Sequence, residues 1–449
     1  MLGSVAAVAP AEIVSALDAF VRSGAIPGLI AILIGPHGDA VVALGRTAPG
    51  TVVAPDPRTR FGIASVTKLF TGLALSDLLR EGRIALDDPA SRYLPRPLPT
   101  FSGREISVRH LATHTSALPV GRPGEGFAAA RWTSPRVWRI AFRRYVLRAG
   151  SGPLAGVTLD DLLAFLAETP LSRAPGEQRE YSNVGFGLLG QIVGRVDGRG
   201  WTGAMRARLL DPLGLGDTGS WDGAAPAPIH GMNLGVLNWA GGLVSTAADL
   251  AGLARAFLHP PPGPLADAMK ILLTPAWHGA GGETAWLAFA RDPASGRPYH
   301  TGMNHAFLGM DRDRGVAAVI LLCGSLDENE ALGLAVLDRL AGGHAVFPKP
   351  RTVVSLPADV LARWAGSYRL DADSSFTVIP AGGSLAVQFM KDGKKGGAAV
   401  VCPENDTAFF CREWECRIEF RPGTGGAPDT ARVRMYSFDA AYRRESSSH

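Results

Sequence analysis

The stretch FGIASVTKLFTGLAL, residues 61–75, sets a Ser-x-x-Lys, Ser65 to Lys68, at the head of a helical pattern. Leu69, Phe70, Leu73, Leu78 and Leu79 recur close to helical period, and Gly82 stands where a left-handed C-terminal cap belongs. Ser65 is therefore expected at a helix N-terminus, with Lys68 about one turn further on the same face. A serine hydroxyl is a poor nucleophile until a neighbour takes its proton, and a lysine does so when its amine is partly neutral. The tetrapeptide arises by chance about once or twice in a chain of this size, so the motif alone decides little. Composition decides more. Only six of the 45 basic residues are lysines, and Lys68 is the first of them, 202 positions ahead of Lys270. Arginine carries charge equally well but does not deprotonate, so a lysine here points to chemistry.

Two further boxes follow in order. Tyr181-Ser182-Asn183, after the turn APGEQRE and before an apolar helical stretch, belongs at a loop-to-helix junction, where a phenol can pass a proton and an amide can hold a carbonyl. His300-Thr301-Gly302 precedes a strand pair. There a glycine admits close backbone approach, and the next amide, on Met303, can join that of Ser65 in holding an oxyanion.

Around these boxes the chain alternates helix and sheet. EIVSALDAFVRSG reads as a helix, GLIAILIG and VVALGR as strands, residues 107–255 as mostly helical, HAFLGMD and VAAVILLC as paired strands, and 326–342 as a closing helix. After Pro348, Pro350 and Pro357 the texture changes to short segments, SSFTVIP, SLAVQF, AAVVC, TAFFC, CRIEF and ARVRMYSF, expected to form an antiparallel barrel. At 449 residues, two domains are expected. A hydrophobic content of 46% against 19% charged makes both globular. The net charge of +4 is scattered, so nucleic acid is not implied; no signal peptide or membrane span is evident, and a cytoplasmic location is expected. Cys323, Cys402, Cys411 and Cys416 make no disulfide framework and are expected to be reduced packing residues.

The three boxes, with FGIASVTKLFTGLAL, ISVRHLATHTSALP, PGEQREYSNVGFGLLG, DPLGLGDTGS and GGLVSTAADL, resemble the class C β-lactamase and penicillin-binding-protein family. The resemblance covers roughly residues 12–342, in the branch with D-aminopeptidases, family VIII carboxylesterases and penicillin-binding-protein-type thioesterases. Residues 360–449 are similar to a lipocalin-like barrel appended to some members. The implied fold is α/β (α+β): a β-lactamase-like domain over 1–346, with an antiparallel sheet flanked by helices and a helical subdomain; a linker, 347–358; and an all-β barrel, 359–449.

The resemblance implies Ser65 as nucleophile, Lys68 as base, Tyr181 as proton shuttle and Asn183 as substrate clamp, with Thr301, Gly302 and Met303 lining the site and no metal or cofactor. His300 replaces the usual lysine, removing a permanent charge that holds a substrate carboxylate and lowering the expectation of β-lactam turnover. The expected activity is that of a D-stereospecific peptidase, amidase or esterase on a small-molecule or peptidyl acyl substrate. The alternatives are a thioesterase or acyltransferase passing the acyl group from a thioester or carrier-protein-bound donor to an amine, and a slow-acylating sensor. Arg143 and Arg144, within the arginine-aromatic stretch 131–148, and Arg443 and Arg444 near the C-terminus are candidate substrate contacts.

Three other patterns are set aside. Gly185-Phe186-Gly187-Leu188-Leu189-Gly190 fits a dinucleotide fingerprint but follows no buried strand. His110 and His114 have zinc spacing without a third ligand, so a structural role in their turn is expected, and no Gly-x-Ser-x-Gly elbow occurs.

Overall fold

A computed structural model describes residues 8–119, 157–221, 229–391, 394–413, 415–423, 429–435 and 438–445. Arg143 and Arg144 lie outside them. Helix α1 (Ala11–Arg22) leads into strands β1 (Gly28–Gly35) and β2 (Gly38–Gly45), and helix α2 (Thr67–Arg80) follows a short 3-10 turn over Ala64–Val66. Gly82, at φ +68°, closes α2 in the left-handed conformation expected of it. The Tyr181 box opens helix α3 (Asn183–Asp197).

Strands β3 (Ala290–Arg291), β4 (Pro298–Gly302), β5 (Ala306–Asp311) and β6 (Val316–Leu322) complete an antiparallel sheet in the order β2-β1-β6-β5-β4-β3, and helix α4 (Asn329–Leu340) follows. In the centre β1 and β6 pair Leu29 with Leu322 through Ile34 with Ala317, and every residue of β6 is buried. Such apolar runs suit strands covered on both faces. Ile30, Ile32, Leu308, Val319 and Leu321 face a core shared with α2 and α3, while Leu29, Ala31, Phe307, Ile320 and Leu322 face α1 and α4. Because side chains alternate along a strand, β4 divides likewise: His300 lies opposite Leu308, whereas Tyr299 packs with Phe307 on the other side.

The glycines of α3 answer the fingerprint question. A Cβ at Gly187 would sit 2.4 Å from the Leu237 side chain, and one at Gly190 would sit 2.2 Å from Trp239 Cβ. They let a helix pack closely and form no phosphate loop.

Eight strands close the C-terminal barrel: β7 (Gly366–Arg369), β8 (Ser374–Ala381), β9 (Ser384–Lys391), β10 (Lys394–Pro403), β11 (Ala408–Cys411), β12 (Arg417–Arg421), β13 (Thr430–Met435) and β14 (Phe438–Arg444). Sequence reading finds six of these runs. It overlooks β7, which closes the barrel against β14, and it takes ARVRMYSF as one strand, where β13 ends at Met435 and β14 begins at Phe438. Trp364, Tyr368, Phe376, Phe409, Phe420 and Tyr442 fill the barrel core, so this barrel is packed solid with side chains. All four cysteines are buried and unbridged. No helix among the described residues is long and apolar enough to cross a membrane.

The barrel meets the main body through backbone contacts. Val353 N–H donates to Ser23 and Val354 N–H to Pro403, and Ser325 N–H donates to the Arg412 carbonyl at 2.6 Å. Arg351 pairs with Asp327 beside that contact.

Candidate active site

Ser65 sits in the 3-10 turn immediately ahead of α2, preceded by Ala64 at φ +42°. A non-glycine residue held in the left-handed region is uncommon, and here neighbouring strands impose it. Gly62 N–H donates to Ile229 and Ile63 N–H to Leu243, which clamps the approach to the serine.

Lys68, fully buried, reaches three oxygens: Ser65 Oγ at 3.1 Å, Asn183 Oδ1 at 2.7 Å and the Ala240 carbonyl at 2.6 Å. Its Nζ also lies 4.7 Å from the centre of the Tyr181 ring. The Tyr181 hydroxyl donates to Ser65 Oγ at 2.7 Å. Two groups from distant parts of the sequence, the Lys68 amine and the Tyr181 hydroxyl, thus converge on one hydroxyl.

The Tyr181 turn is held from behind. Ser182 caps α3 by accepting from Gly185 N–H and donates its own hydroxyl to the Pro119 carbonyl. Its backbone N–H donates to His114 Nδ1 at 3.1 Å, and the imidazole ring lies 4.4 Å from Tyr181 and 4.8 Å from Phe186. His114 is fully enclosed, and burial, with the positive charges of Lys68 and Arg179, holds it well below the usual histidine range and neutral. His110 accepts from Ser107 N–H at the start of a short helix, so the two histidines with zinc spacing serve separate turns.

On β4, His300 Nδ1 lies 2.7 Å from the Thr301 carbonyl. A carbonyl only accepts, so the proton resides on Nδ1 and Nε2 is left as an acceptor. Burial, reinforced by Lys68 and Arg179, pushes the His300 pKa down to about 3, so the ring brings no charge to the site near neutral pH. At Gly302 a Cβ would lie 2.1 Å from the Ile63 carbonyl: only glycine lets β4 approach the serine turn this closely. Met303 follows at φ +47°.

These elements enclose a cavity of about 380 Å³. Ser65, Tyr181, Asn183, His300, Thr301 and Met303 line it, together with Arg179, Asn304, Glu330 and, from the barrel, Glu415. Lys68 lies beneath Ser65, and Gly302 forms the backing. Arg443 and Arg444 are elsewhere. Arg444 is spent on Asp429 and the Ala365 carbonyl at the closing seam of the barrel, and Arg443 sits exposed on β14. Sequence reasoning missed His114 as a neighbour of the tyrosine, and it missed Arg179, Glu330 and Glu415. Arg179 stands two residues before Tyr181, a readable signal, whereas Glu415 enters only through the way the barrel docks.

The family model described as Beta-lactamase matches residues 13–342. The chain belongs to the Beta-lactamase family. Within it, the chain is 33% identical over 201 residues to the D-alanyl-D-alanine-carboxypeptidase/endopeptidase AmpH of Escherichia coli, a match covering 44% of this chain and 46% of that protein. It is 32% identical over 216 residues to Esterase EstB of Burkholderia gladioli, covering 46% and 51%. The chain therefore spans about half the length of the curated relatives it matches. The octameric penicillin-binding protein homologue from Pyrococcus abyssi superposes with a TM-score of 0.62 at 19% identity, over 96% of this chain and 99% of that one. A structure of SurE with D-Leu gives 0.53 at 23%, over 97% and 99%. These two likenesses concern the fold, barrel included.

Proposed function

We propose that this member of the Beta-lactamase family is a serine acyl-transfer enzyme that works through an acyl-enzyme on Ser65 and hydrolyses esters or amides of D-configured acyl groups. The observation that carries the reading is the convergence of Lys68 Nζ at 3.1 Å and the Tyr181 hydroxyl at 2.7 Å on Ser65 Oγ.

The surroundings of Lys68 fit a neutral amine during attack. Two N–H groups satisfy Asn183 Oδ1 and the Ala240 carbonyl, and the lone pair faces the serine hydroxyl. Ser65 gives its proton to this amine as Oγ bonds to the acyl carbon. The resulting oxyanion is held by the backbone N–H groups of Ser65 and Met303, next to the two residues with positive φ, Ala64 and Met303 itself. Collapse expels the leaving group, which takes the proton back from Lys68 through the Tyr181 hydroxyl. Water then repeats the sequence in reverse and frees the acid.

The D-configuration is suggested by the activity that AmpH carries in its name, and ester cleavage by that of EstB. Neutral His300 argues against a substrate that needs a fixed cation on β4. Intact-mass measurement after mixing with an N-acetyl-D-alanine p-nitrophenyl ester tests the reading. The expected result is an acyl adduct that maps to Ser65 and is lost in Ser65→Ala. Full turnover by Ser65→Ala overturns it.

A further inference from the structure

Ser65 and Met303 come from separate stretches of chain, and the turn that carries Met303 is fastened to the serine segment on both sides. Ahead of it, Gly302 packs against the Ile63 carbonyl, which would lie 2.1 Å from a Cβ. After it, His305 N–H donates to the Gly302 carbonyl at 3.2 Å and closes the turn, while the His305 ring reaches back to place Nε2 3.0 Å from the Gly62 carbonyl. A carbonyl only accepts, so Nε2 carries the proton and donates. Met303, at φ +47°, stands between these two fastenings, and Ser65 lies three residues beyond Gly62.

His305 is itself held. Its carbonyl accepts from Leu322 N–H at 2.8 Å, and its ring stacks at 4.2 Å on that of His230, whose Nε2 donates to the Leu322 carbonyl at 3.1 Å. His230 sits at φ +56°, and its own carbonyl comes so near Gly62 that a Cβ there would lie 2.2 Å from it. The contacts form a closed circuit from Gly62 to His305, Leu322, His230 and back to Gly62. His305 is buried and does not line the cavity. Burial, with His230 beside it, holds the ring neutral, so it acts on the site through the backbone it fastens and adds no charge.

We propose that His305 is a positioning residue for acyl transfer: by donating to the Gly62 carbonyl it sets the separation of the Ser65 and Met303 amides and so shapes the pocket that receives the oxyanion. The proposal rests on Ser65 as the nucleophile and on those two amides as the oxyanion donors. Preorganised donors act on charge that develops only in the transition state, so a pocket out of register lowers kcat and leaves ground-state binding nearly as it was.

The test compares wild type with His305→Leu, His305→Asn and His305→Gln on N-acetyl-D-alanine p-nitrophenyl ester, with rates expressed per active site labelled to completion by a fluorophosphonate. Inhibition by the boronic acid analogue of N-acetyl-D-alanine is measured beside it, because the tetrahedral serine adduct places an oxygen where the oxyanion would lie. Leucine removes the donor, the asparagine amide is too short to reach Gly62, and the glutamine amide extends about as far as Nε2. The expected result is that the leucine and asparagine variants lose roughly 10- to 100-fold in kcat, keep KM within about twofold and bind the boronate more weakly by a similar factor. His305→Gln should return to within about fivefold of wild type in both measurements. A role confined to stability would lower the melting temperature and the labelled fraction without moving kcat per site. Unmoved kcat and boronate affinity in His305→Asn overturn the proposal, as does a loss that His305→Gln shares in full; His305→Asn against His305→Gln carries the test even where His305→Leu fails to fold. Ser65→Ala keeps the two readings apart: retained ester turnover there refutes the nucleophile, whereas an adduct on Ser65 with unmoved His305 variants refutes only the role of His305.

Discussion

Helix α2 touches two buried cations, and they are surrounded in opposite ways. Lys68, in its first turn, meets a hydroxyl, an amide oxygen and a backbone carbonyl, none of them charged. Near its last turn Arg208 is enclosed by three carboxylates, of Asp77, Glu81 and Asp197, with only 7% of its side chain exposed. Arg208 in turn holds the carboxyls of Glu81 and Asp197 below their usual range, Arg199 acting first on Asp197. A cation among carboxylates is fixed in its charge. A cation among neutral oxygens can give up a proton without leaving a charge stranded. The chain places arginine in the first setting and one of its rare lysines in the second.

Exchanging the two residue types is the sharpest way to break this contrast. Lys68→Arg keeps the charge but removes the group that accepts the serine proton, and kcat/KM for an activated ester should fall about 10²–10⁴-fold. Near-parental activity would contradict the role given to Lys68. Arg208→Lys is the reciprocal change. One ammonium cannot reach three carboxylates, so stability should fall by about 3 kcal/mol, within the range for breaking buried pairs. Its kcat should stay within about twofold, since additivity holds for distant sites. Denaturant unfolding and steady-state kinetics on both variants decide the point.

The same contrast explains what was legible in the sequence. Ser65 and Lys68 could be read together because one helical turn fixes their spacing, and lysine scarcity marked the pair. Tyr181 and His300 could be read because each box sits at an element boundary that punctuation residues reveal. The Arg208 cluster joins residues 77, 81, 197 and 208, and no local pattern announces a contact made across the fold. Glu415 is hidden for the same reason, since its place follows from how one hairpin docks. In the barrel the run of short strand-like segments could be read, but β7 is only four residues long and was overlooked.

Acid should separate the two regions next. Around the site, His114 and His300 are held neutral. Beside the Gly62 and Leu322 carbonyls, His230 and His305 stack at 4.2 Å, burial pushing His230 down to about 4 and His305 well below its usual value. Each has a folded pKa under its unfolded value near 6.5, so the unfolded chain binds more protons as pH falls from about 6.5 towards 4. Stability should therefore decline across that window, by about 1.4 kcal/mol per pH unit for each histidine that titrates. The carboxylates of Glu81 and Asp197 run the other way in position: with folded pKa values below the unfolded ones, their contribution persists through this window and is lost only as pH drops under about 4. A stability profile that stays flat between pH 6.5 and 4.5 contradicts the burial of neutral histidines.

The smallest expected effect concerns His114, which packs against Tyr181 and lines the edge of the cavity. It sits at φ +61° and supplies one acceptor, to Ser182 N–H, beneath the Tyr181 ring. Asparagine tolerates that backbone conformation better than most residues and carries a carbonyl oxygen able to accept in place of Nδ1. Leucine has neither property. His114→Asn should then keep kcat within about threefold, whereas His114→Leu should lower it roughly tenfold and reduce stability as well, because a buried N–H is left unpaired. If His114 acts only by holding Tyr181 in place, KM and the shape of the pH–rate profile should be the same in both variants. A profile that loses a limb in His114→Asn would mean that the imidazole itself exchanges a proton during turnover, and the neutral setting of the site would extend one residue deeper than Lys68.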